Sequence, residues 1–341
     1  RAISDHRGTI SPAPNFAYGS KEIFTKKSKT YYFLAGALSV VGILFISTNL
    51  FFTQNTITAI DENQDVLFPQ DYKIISPKIP NNVTVFGEGV PLDNFEVYER
   101  VDREILVNTY WHSATILAIK RAARWFPIIE PILKQNNIPD DFKYLAVVES
   151  NLENVVSPAG ATGYWQFIKS AAKQYGLEVT DEVDERYDVI KSTEAACKYL
   201  NTAYQMFGNW TMSASSYNAG MSGIDKWSGL QKTTNYWNLV LGSETSRYVS
   251  RIIAMKLIME NPSAYGYDLK EEDLYKPLKF KEVELNTSVA DFAEYASTIG
   301  VNYKTLKLYN PWLRDTKLKI KSGVTYMIKI PEEGSINLIR E

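Results

Sequence analysis

Cysteine and histidine are scarce in this chain. The 341 residues include one cysteine, Cys197, and two histidines, His6 and His112. A single cysteine excludes an intrachain disulfide, and its helical, alanine-rich surroundings predict a small buried apolar residue. Two histidines that lie far apart in the sequence are too few for a metal cluster. We therefore expect no metal and no cofactor.

An excess of charge of one sign is also missing. The 37 Lys and Arg residues and the 39 Asp and Glu residues give a net charge of −2. Proteins that bind nucleic acid carry broad basic surfaces, so we expect no nucleic acid partner. The hydrophobic share of 45% and the charged share of 22% are ordinary for a globular chain. The length allows two domains with a sizeable core.

One long segment, residues 31–52, has no charged residue. About 20 apolar residues match the thickness of a bilayer. Lysines precede the segment, and no Lys or Arg follows before Lys73, so the positive-inside rule puts residues 1–30 in the cytoplasm. We predict a transmembrane signal anchor over residues 31–53, after a disordered cytoplasmic tail. A cleaved signal peptide is the alternative, but the length of the run favours an anchor.

The chain after this segment changes from irregular to helical. Residues 54–90 contain Asn, Gln, Thr and Pro without a sustained period and predict a linker. Helical spacing of apolar residues dominates residues 91–270, which predicts a mainly α domain. Within it, we expect Pro127 to interrupt the second helix and Ser192 to cap a long later helix.

The domain is organised around residues 142–167. Their first half is an apolar run that ends in Glu149, with Asp140 and Asp141 before it as N-cap candidates. Glu149 should therefore lie at the C-terminal end of a mostly buried helix, where the helix dipole and apolar neighbours oppose ionisation. A carboxyl group in that setting stays protonated near neutral pH, as a general acid requires. The alternative is a glutamate that faces solvent.

Three further motifs follow Glu149 along the chain. Two glycines in the turn-rich segment 157–163 let the backbone pass close to another group. Trp165 and Gln166 then supply an aromatic face and an amide. Residues 215–220 read Ser-Ser-Tyr-Asn-Ala-Gly, and residues 244–249 read Glu-Thr-Ser-Arg-Tyr-Val.

In this order and spacing, Glu-Ser, Gly-x-x-Gly-x-x-Gln, Tyr-Asn-Ala-Gly and Glu-Thr-x-x-Tyr-Val resemble the motifs of the family 1 lytic transglycosylases. These are lysozyme-like enzymes that cleave bacterial cell-wall glycan. The resemblance covers about residues 110–260, and the sequence is most similar to the membrane-bound D group of that family. It implies a lysozyme-like fold, peptidoglycan glycan strands as partner and, with the anchor, a periplasmic domain on the inner membrane.

The resemblance also implies roles for single residues. Glu149 would protonate the oxygen of the MurNAc–β-1,4–GlcNAc bond, then act as a base toward the C6 hydroxyl group, which attacks C1 and gives 1,6-anhydroMurNAc. Tyr217 would set the orientation of Glu149. The residues that would contact substrate are Ser157, Trp165, Gln166, Tyr217, Asn218 and Glu244. Each also has a structural interpretation, such as first-turn helix stabilisation for Glu244.

Two other functions remain open. A muramidase that uses water, like goose-type lysozyme, would need a second carboxylate to position the water, and Asp181, Asp184 or Glu244 could supply it. A non-catalytic wall-binding scaffold is the other alternative. The presence of Glu149 together with Gln166 argues against the scaffold.

The chain changes character beyond about residue 277. Residues 280–285 alternate like a strand, residues 289–299 and 303–309 have helical spacing, and residues 326–331 predict a closing strand. This strand–helix–helix–strand order over residues 277–333 resembles a LysM peptidoglycan-binding module, although the usual opening glycine–aspartate turn is absent. The resemblance implies glycan binding, and the alternative is a small packing domain.

Overall fold

The computed structural model describes residues 74–336. Within this range the chain is mainly helical, with two antiparallel two-stranded sheets, so the expectation of a mainly α fold is confirmed. No helix among these residues is both long and apolar enough to cross a membrane. The predicted tail, the predicted anchor over residues 31–53 and most of the predicted linker lie outside the described residues.

The main domain consists of a hairpin followed by helices. Its elements are β1 (Thr84–Val85), β2 (Glu88–Gly89), α1 (Phe95–Tyr110), α2 (His112–Gln135), α3 (Lys143–Ser150), α4 (Lys169–Gln174), α5 (Val189–Phe207), α6 (Trp210–Ala219), α7 (Met221–Gln231) and α8 (Ser243–Glu260). Helix α8 packs against α1, α3 and α6, and α2 packs against α5. One hydrophobic core joins these helices with the hairpin.

Helix α2 runs through Pro127, so the predicted interruption is wrong. Both Pro127 and Pro131 lie inside its 24 residues. A proline inside a helix removes one backbone hydrogen bond and costs about 3 kcal/mol. Ile129 and Leu133, which flank Pro131, are fully buried. Packing of this face therefore offsets the local cost.

Helix α5 begins earlier than we predicted. Its N-cap is Asp188, whose Oδ1 accepts the backbone N–H groups of Ile190 and Lys191 at 2.9 and 3.0 Å. Ser192 lies inside the first turn, where its hydroxyl group donates to the backbone oxygen of Asp188. The helix ends at Gly208, whose φ is 74°. Serine and aspartate are both common caps, and the sequence pattern selected the wrong one.

The predicted linker 54–90 is corrected at its C-terminal end, because β1 and β2 belong to the main core. Val85 is fully buried, and Phe86 stacks on Phe142 with ring centroids 4.1 Å apart. The backbone N–H of Phe86 donates to Asp141 Oδ2 at 2.7 Å. Asp141 therefore holds the hairpin and does not cap α3, which has no side-chain cap.

The C-terminal module has the predicted order of elements. It contains β3 (Phe280–Leu285), α9 (Phe292–Thr298), α10 (Tyr303–Tyr309) and β4 (Tyr326–Pro331). The two strands pair antiparallel, with Phe280 opposite Pro331 and Leu285 opposite Tyr326. The module has a second hydrophobic cluster, which Val183 of the main domain joins.

Helix α7 was not predicted, because its sequence has a weak apolar period. Ile224 is its fully buried side chain, whereas Trp227 and Leu230 are exposed. The helix begins after Gly220, whose φ is 76°.

The hairpin also stabilises the start of α6, and this contact can be tested. Both carboxylate oxygens of Glu88 accept backbone N–H groups, those of Trp210 and Thr211, at 2.5 and 3.0 Å. We expect Glu88→Ala to lower the free energy of unfolding by about 1–2 kcal/mol, because it removes a helix N-terminal acceptor and its charge. Urea unfolding measures the change. Glu99→Ala, at an exposed position of α1, is the control, and equal effects of the two substitutions would contradict the prediction.

Candidate active site

Glu149 lies in the last turn of α3, where we expected it. The residues before it, Leu145, Ala146 and Val147, are buried, whereas Glu149 is partly exposed. The helix ends at Asn151, whose φ of 54° turns the chain away. The helix therefore presents a carboxyl group at the edge of an otherwise apolar segment.

Burial dominates the electrostatics of this carboxyl group. It raises the pKa of Glu149 to about 7, because desolvation disfavours the charged form. A hydrogen bond from the hydroxyl group of Tyr248 to Glu149 Oε1 and the positive charge of Arg251 lower the pKa, and the charge of Glu244 raises it. Both protonation states of Glu149 are therefore populated near neutral pH.

The hydroxyl group that reaches Glu149 belongs to Tyr248, not to Tyr217 as we expected. Tyr248 is 1% exposed and lies on α8. The hydroxyl group of Tyr217 instead donates to the backbone oxygen of Trp165 at 2.7 Å. The sequence placed Tyr248 four residues after Glu244 on one helix face, but that spacing does not rank Tyr248 above Tyr217 as the partner of Glu149.

Trp165 does not offer a stacking surface, which corrects its predicted contact with substrate. Its side chain is fully buried, and its indole N–H donates to Thr193 Oγ1 at 2.8 Å. A sugar cannot reach a ring that has no exposed face. Trp165 instead attaches the chain around residue 165 to helix α5, which carries Thr193.

The polar side chains of the glycine-containing loop, residues 155–167, hold the loop itself. The amide nitrogen of Gln166 donates to the backbone oxygens of Val155 and Gly163 at 3.0 and 2.8 Å. The hydroxyl oxygen of Ser157 accepts the backbone N–H of Ala161 at 3.0 Å. Gln166 and Ser157 are both partly exposed, and substrate contacts for them stay a prediction.

Asn218 and Glu244 meet where the end of α6 approaches the start of α8. The amide nitrogen of Asn218 lies 3.5 Å from Glu244 Oε1, and Asn218 Oδ1 accepts the hydroxyl group of Thr245 at 2.8 Å. Glu244 is exposed in the first turn of α8, a position that favours a carboxylate. Because its charge acts on Glu149, this pair borders the site.

The candidates for a second carboxylate differ sharply in their surroundings. Asp184 is buried and forms an ion pair with Arg186 at 2.7 Å. Asp181 is exposed, and neither of these two charges acts on the pKa of Glu149. Of the three residues considered, Glu244 alone acts on the pKa of Glu149.

No group of three or more His, Cys, Asp or Glu side chains within residues 74–336 is placed to hold a metal ion. Cys197 is buried, as expected, and burial raises the pKa of its thiol group to about 12. A thiol with so high a pKa is a poor nucleophile at neutral pH.

Gly163 allows the loop to pass close to the backbone of Arg186. Its φ is 84°, and a Cβ atom there would lie 1.9 Å from the backbone oxygen of Arg186. We expect Gly163→Ala to lower the free energy of unfolding by about 3 kcal/mol or more, because strain and a backbone clash add. Gly160→Ala is the control, since φ is 78° there but no atom lies within 4 Å of the added carbon. Equal losses in thermal or urea unfolding would contradict the close approach.

The raised pKa of Glu149 has a consequence for stability. Between its unfolded value of 4.5 and its folded value of about 7, the native state binds more protons, so stability falls as pH rises through this window. Glu149→Gln removes this fall. We expect its stability relative to the parent protein to rise by about 3 kcal/mol between pH 4 and pH 8, since one pKa unit corresponds to about 1.4 kcal/mol.

Urea unfolding at several pH values measures this difference. Glu99→Gln, which removes one negative charge from an exposed site, is the control. A stability difference for Glu149→Gln that does not change with pH would show that Glu149 titrates normally.

Two family models match the chain. Residues 126–240 match the family described as "Transglycosylase SLT domain", and residues 281–334 match "Soluble lytic transglycosylase C-terminal LysM-like domain".

Curated relatives cover most of the chain. Membrane-bound lytic murein transglycosylase D of Escherichia coli K12 and its counterpart in E. coli O6:H1 strain CFT073 are each 31% identical over 256 residues. The matches cover 73% of this chain and 54% of each relative. The chain thus spans about half the length of the curated relatives it matches.

Among solved structures, the 70 kDa soluble lytic transglycosylase SLT70 of E. coli is 21% identical, with a TM-score of 0.34. That match covers 44% of this chain and 26% of the other. The family models confirm the resemblance that the motifs indicated: residues 126–240 are similar to transglycosylase SLT domains, and residues 281–334 are similar to LysM-like domains.

Proposed function

We propose that this protein is a lytic transglycosylase that cleaves the MurNAc–β-1,4–GlcNAc bond of peptidoglycan. The observation that carries the proposal is the state of Glu149. It is a partly buried carboxyl group with a pKa of about 7 and a hydrogen bond from Tyr248. The SLT domain match and the names of the curated relatives agree with this substrate.

Glu149 acts first as a general acid. Its proton passes to the oxygen of the glycosidic bond while the bond from that oxygen to C1 of MurNAc breaks. Positive charge then develops at C1. The carboxylate left behind accepts the hydrogen bond of Tyr248, which stabilises the anion in its desolvated surroundings.

The same carboxylate then acts as a base. It removes the proton of the C6 hydroxyl group of MurNAc, and that oxygen forms a bond to C1. The product is 1,6-anhydroMurNAc, no water is consumed, and Glu149 regains its proton. Because the attacking group is already part of the sugar, no second carboxylate is needed to hold a water molecule.

Hydrolysis is the second candidate, and Glu244 is the observation that favours it. Glu244 is exposed at the border of the site, and its charge acts on Glu149. A carboxylate in that place could orient a water molecule toward C1. Asp184 is unsuited to this role because its oxygens bind Arg186.

We also propose that the protein works in the cell envelope. The predicted anchor over residues 31–53 would hold it in the inner membrane, with residues 54 onward in the periplasm. The curated relatives carry "membrane-bound" in their names, which supports this placement. Peptidoglycan glycan strands are the proposed partner of the SLT domain, and the LysM-like module is a further candidate for glycan binding.

Product analysis tests the proposed reaction. We expect the purified protein to release muropeptides from peptidoglycan that are one water lighter than hydrolysis products and resist borohydride reduction. Glu149→Gln should lower the rate by at least about 100-fold, the typical contribution of general acid–base catalysis. Asp181→Asn is the control and should leave the rate near that of the parent protein, since Asp181 is exposed and does not act on Glu149.

Reducible ends that disappear with Glu244→Gln would favour the muramidase. Retained cleavage by Glu149→Gln would contradict the role of this residue. A folded parent protein that binds peptidoglycan without releasing any fragment would identify a scaffold.

A further inference from the structure

The LysM-like module is joined to the main domain by a short backbone ladder. The backbone N–H of Asp184 donates to the oxygen of Trp312 at 2.9 Å, and that of Arg314 donates to the oxygen of Glu182 at 2.8 Å. Between them, Val183 is 1% exposed and lies in the hydrophobic cluster of the module. The segment 178–188 of the main domain therefore contributes a residue to the hydrophobic core of the LysM-like module.

Side chains of the module bind residues at both ends of the segment 178–188. Lys329 Nζ lies 2.9 Å from Asp188 Oδ2, and both side chains are about 10% exposed. The hydroxyl group of Tyr326 donates to Glu178 Oε2 at 2.9 Å. Ion pairs with so little solvent around them are screened weakly, and loss of one partner leaves the other charge uncompensated.

The opposite side of the same segment holds the glycine-containing loop. Arg186 Nη1 donates to the backbone oxygens of Gly160 and Phe167 at 3.1 and 3.0 Å. The guanidinium group is fixed in turn by Asp184, with contacts of 2.9 and 2.7 Å. The residue whose N–H binds the module thus orients the side chain that binds the loop.

Asp188 forms a second connection between the module and the site. One of its oxygens binds Lys329, and the other caps helix α5. Helix α5 carries Thr193, which accepts the indole N–H of Trp165. The contacts through Arg186 and those through Asp188 therefore both link the module to the glycine-containing loop, which includes Ser157 and Gln166.

We propose that the LysM-like module acts as a brace that holds the glycine-containing loop of the SLT domain in its binding conformation. The docking surface is the segment 178–188, and the partner is the module of the same chain. This role is separate from any glycan binding by the module. Its effect on substrate rests on the proposed function, but its effect on the loop does not.

Hydrogen–deuterium exchange of peptides that cover residues 155–167 tests the brace directly, without any activity. The variant is Lys329→Met, which keeps the stem of the side chain and removes the charge that binds Asp188. We expect roughly three- to tenfold faster exchange of the loop amides, because a loosened contact lowers the cost of local opening. The control is Lys304→Met, the same substitution at an exposed position of α10 in the same module.

Arg314→Gln is a second, milder variant. It removes the guanidinium group of Arg314, which lies 3.9 Å from the ring centroid of Tyr187. It keeps the experiment informative if Lys329→Met unfolds the module. Faster loop exchange in a variant whose global unfolding is unchanged supports the brace. If both variants fold and their loop amides exchange as slowly as those of the parent protein, the brace is overturned.

Kinetics on peptidoglycan separate the brace from simple wall binding. A loosened loop should raise KM several-fold in Lys329→Met while kcat changes little, because Glu149 and Tyr248 are untouched. Weaker sedimentation with peptidoglycan but normal loop exchange would mean that the module only binds glycan, which contradicts the brace. If the parent protein has no activity, the proposed function fails, and the exchange experiment still decides on the brace.

Discussion

The desolvated carboxyl group of Glu149 is the constraint on which the rest of the site depends. Burial alone would raise the pKa of this group further and disfavour the carboxylate that has to take a proton back. Tyr248 and Arg251 oppose that effect by stabilising the anion, and the balance brings the pKa to about 7. Helix α8 therefore matters as much as α3, because it supplies both opposing groups, and Tyr248 lies 99 residues after Glu149 in the sequence.

How much of this could be predicted from the sequence depends on the range of the interaction. The bounds of β3, α10 and β4 agree with the sequence pattern, because period, caps and turns are local signals. Pro127 obeys no local rule, since buried packing of α2 outweighs the cost of a proline. Phe86 looks like part of a linker until Phe142, 56 positions later, provides its stacking partner.

The residues of the candidate site also differ in whether a local signal or a long-range contact determines their role. Glu149 was predictable because an apolar run that ends in a carboxyl group carries its own electrostatic argument. Tyr217 and Tyr248 could not be ranked, since which hydroxyl group reaches Glu149 depends on how α6 and α8 cross. Trp165 was assigned to substrate because an aromatic residue beside a glycine turn suits a sugar. Its burial against Thr193 follows from tertiary packing, which the local pattern does not contain.

The segment 178–188 links the chemistry to the architecture. A hydrolase would use its second carboxylate to orient water, and this segment is rich in carboxylates. Yet Asp184 holds Arg186, Asp188 caps α5 and binds Lys329, and Glu178 accepts the hydroxyl group of Tyr326. Each of these three carboxylates is committed to a cation, a backbone N–H or a hydroxyl group within the protein. The proposed intramolecular attack needs no second carboxylate, which agrees with a segment whose carboxylates bind other groups of the protein.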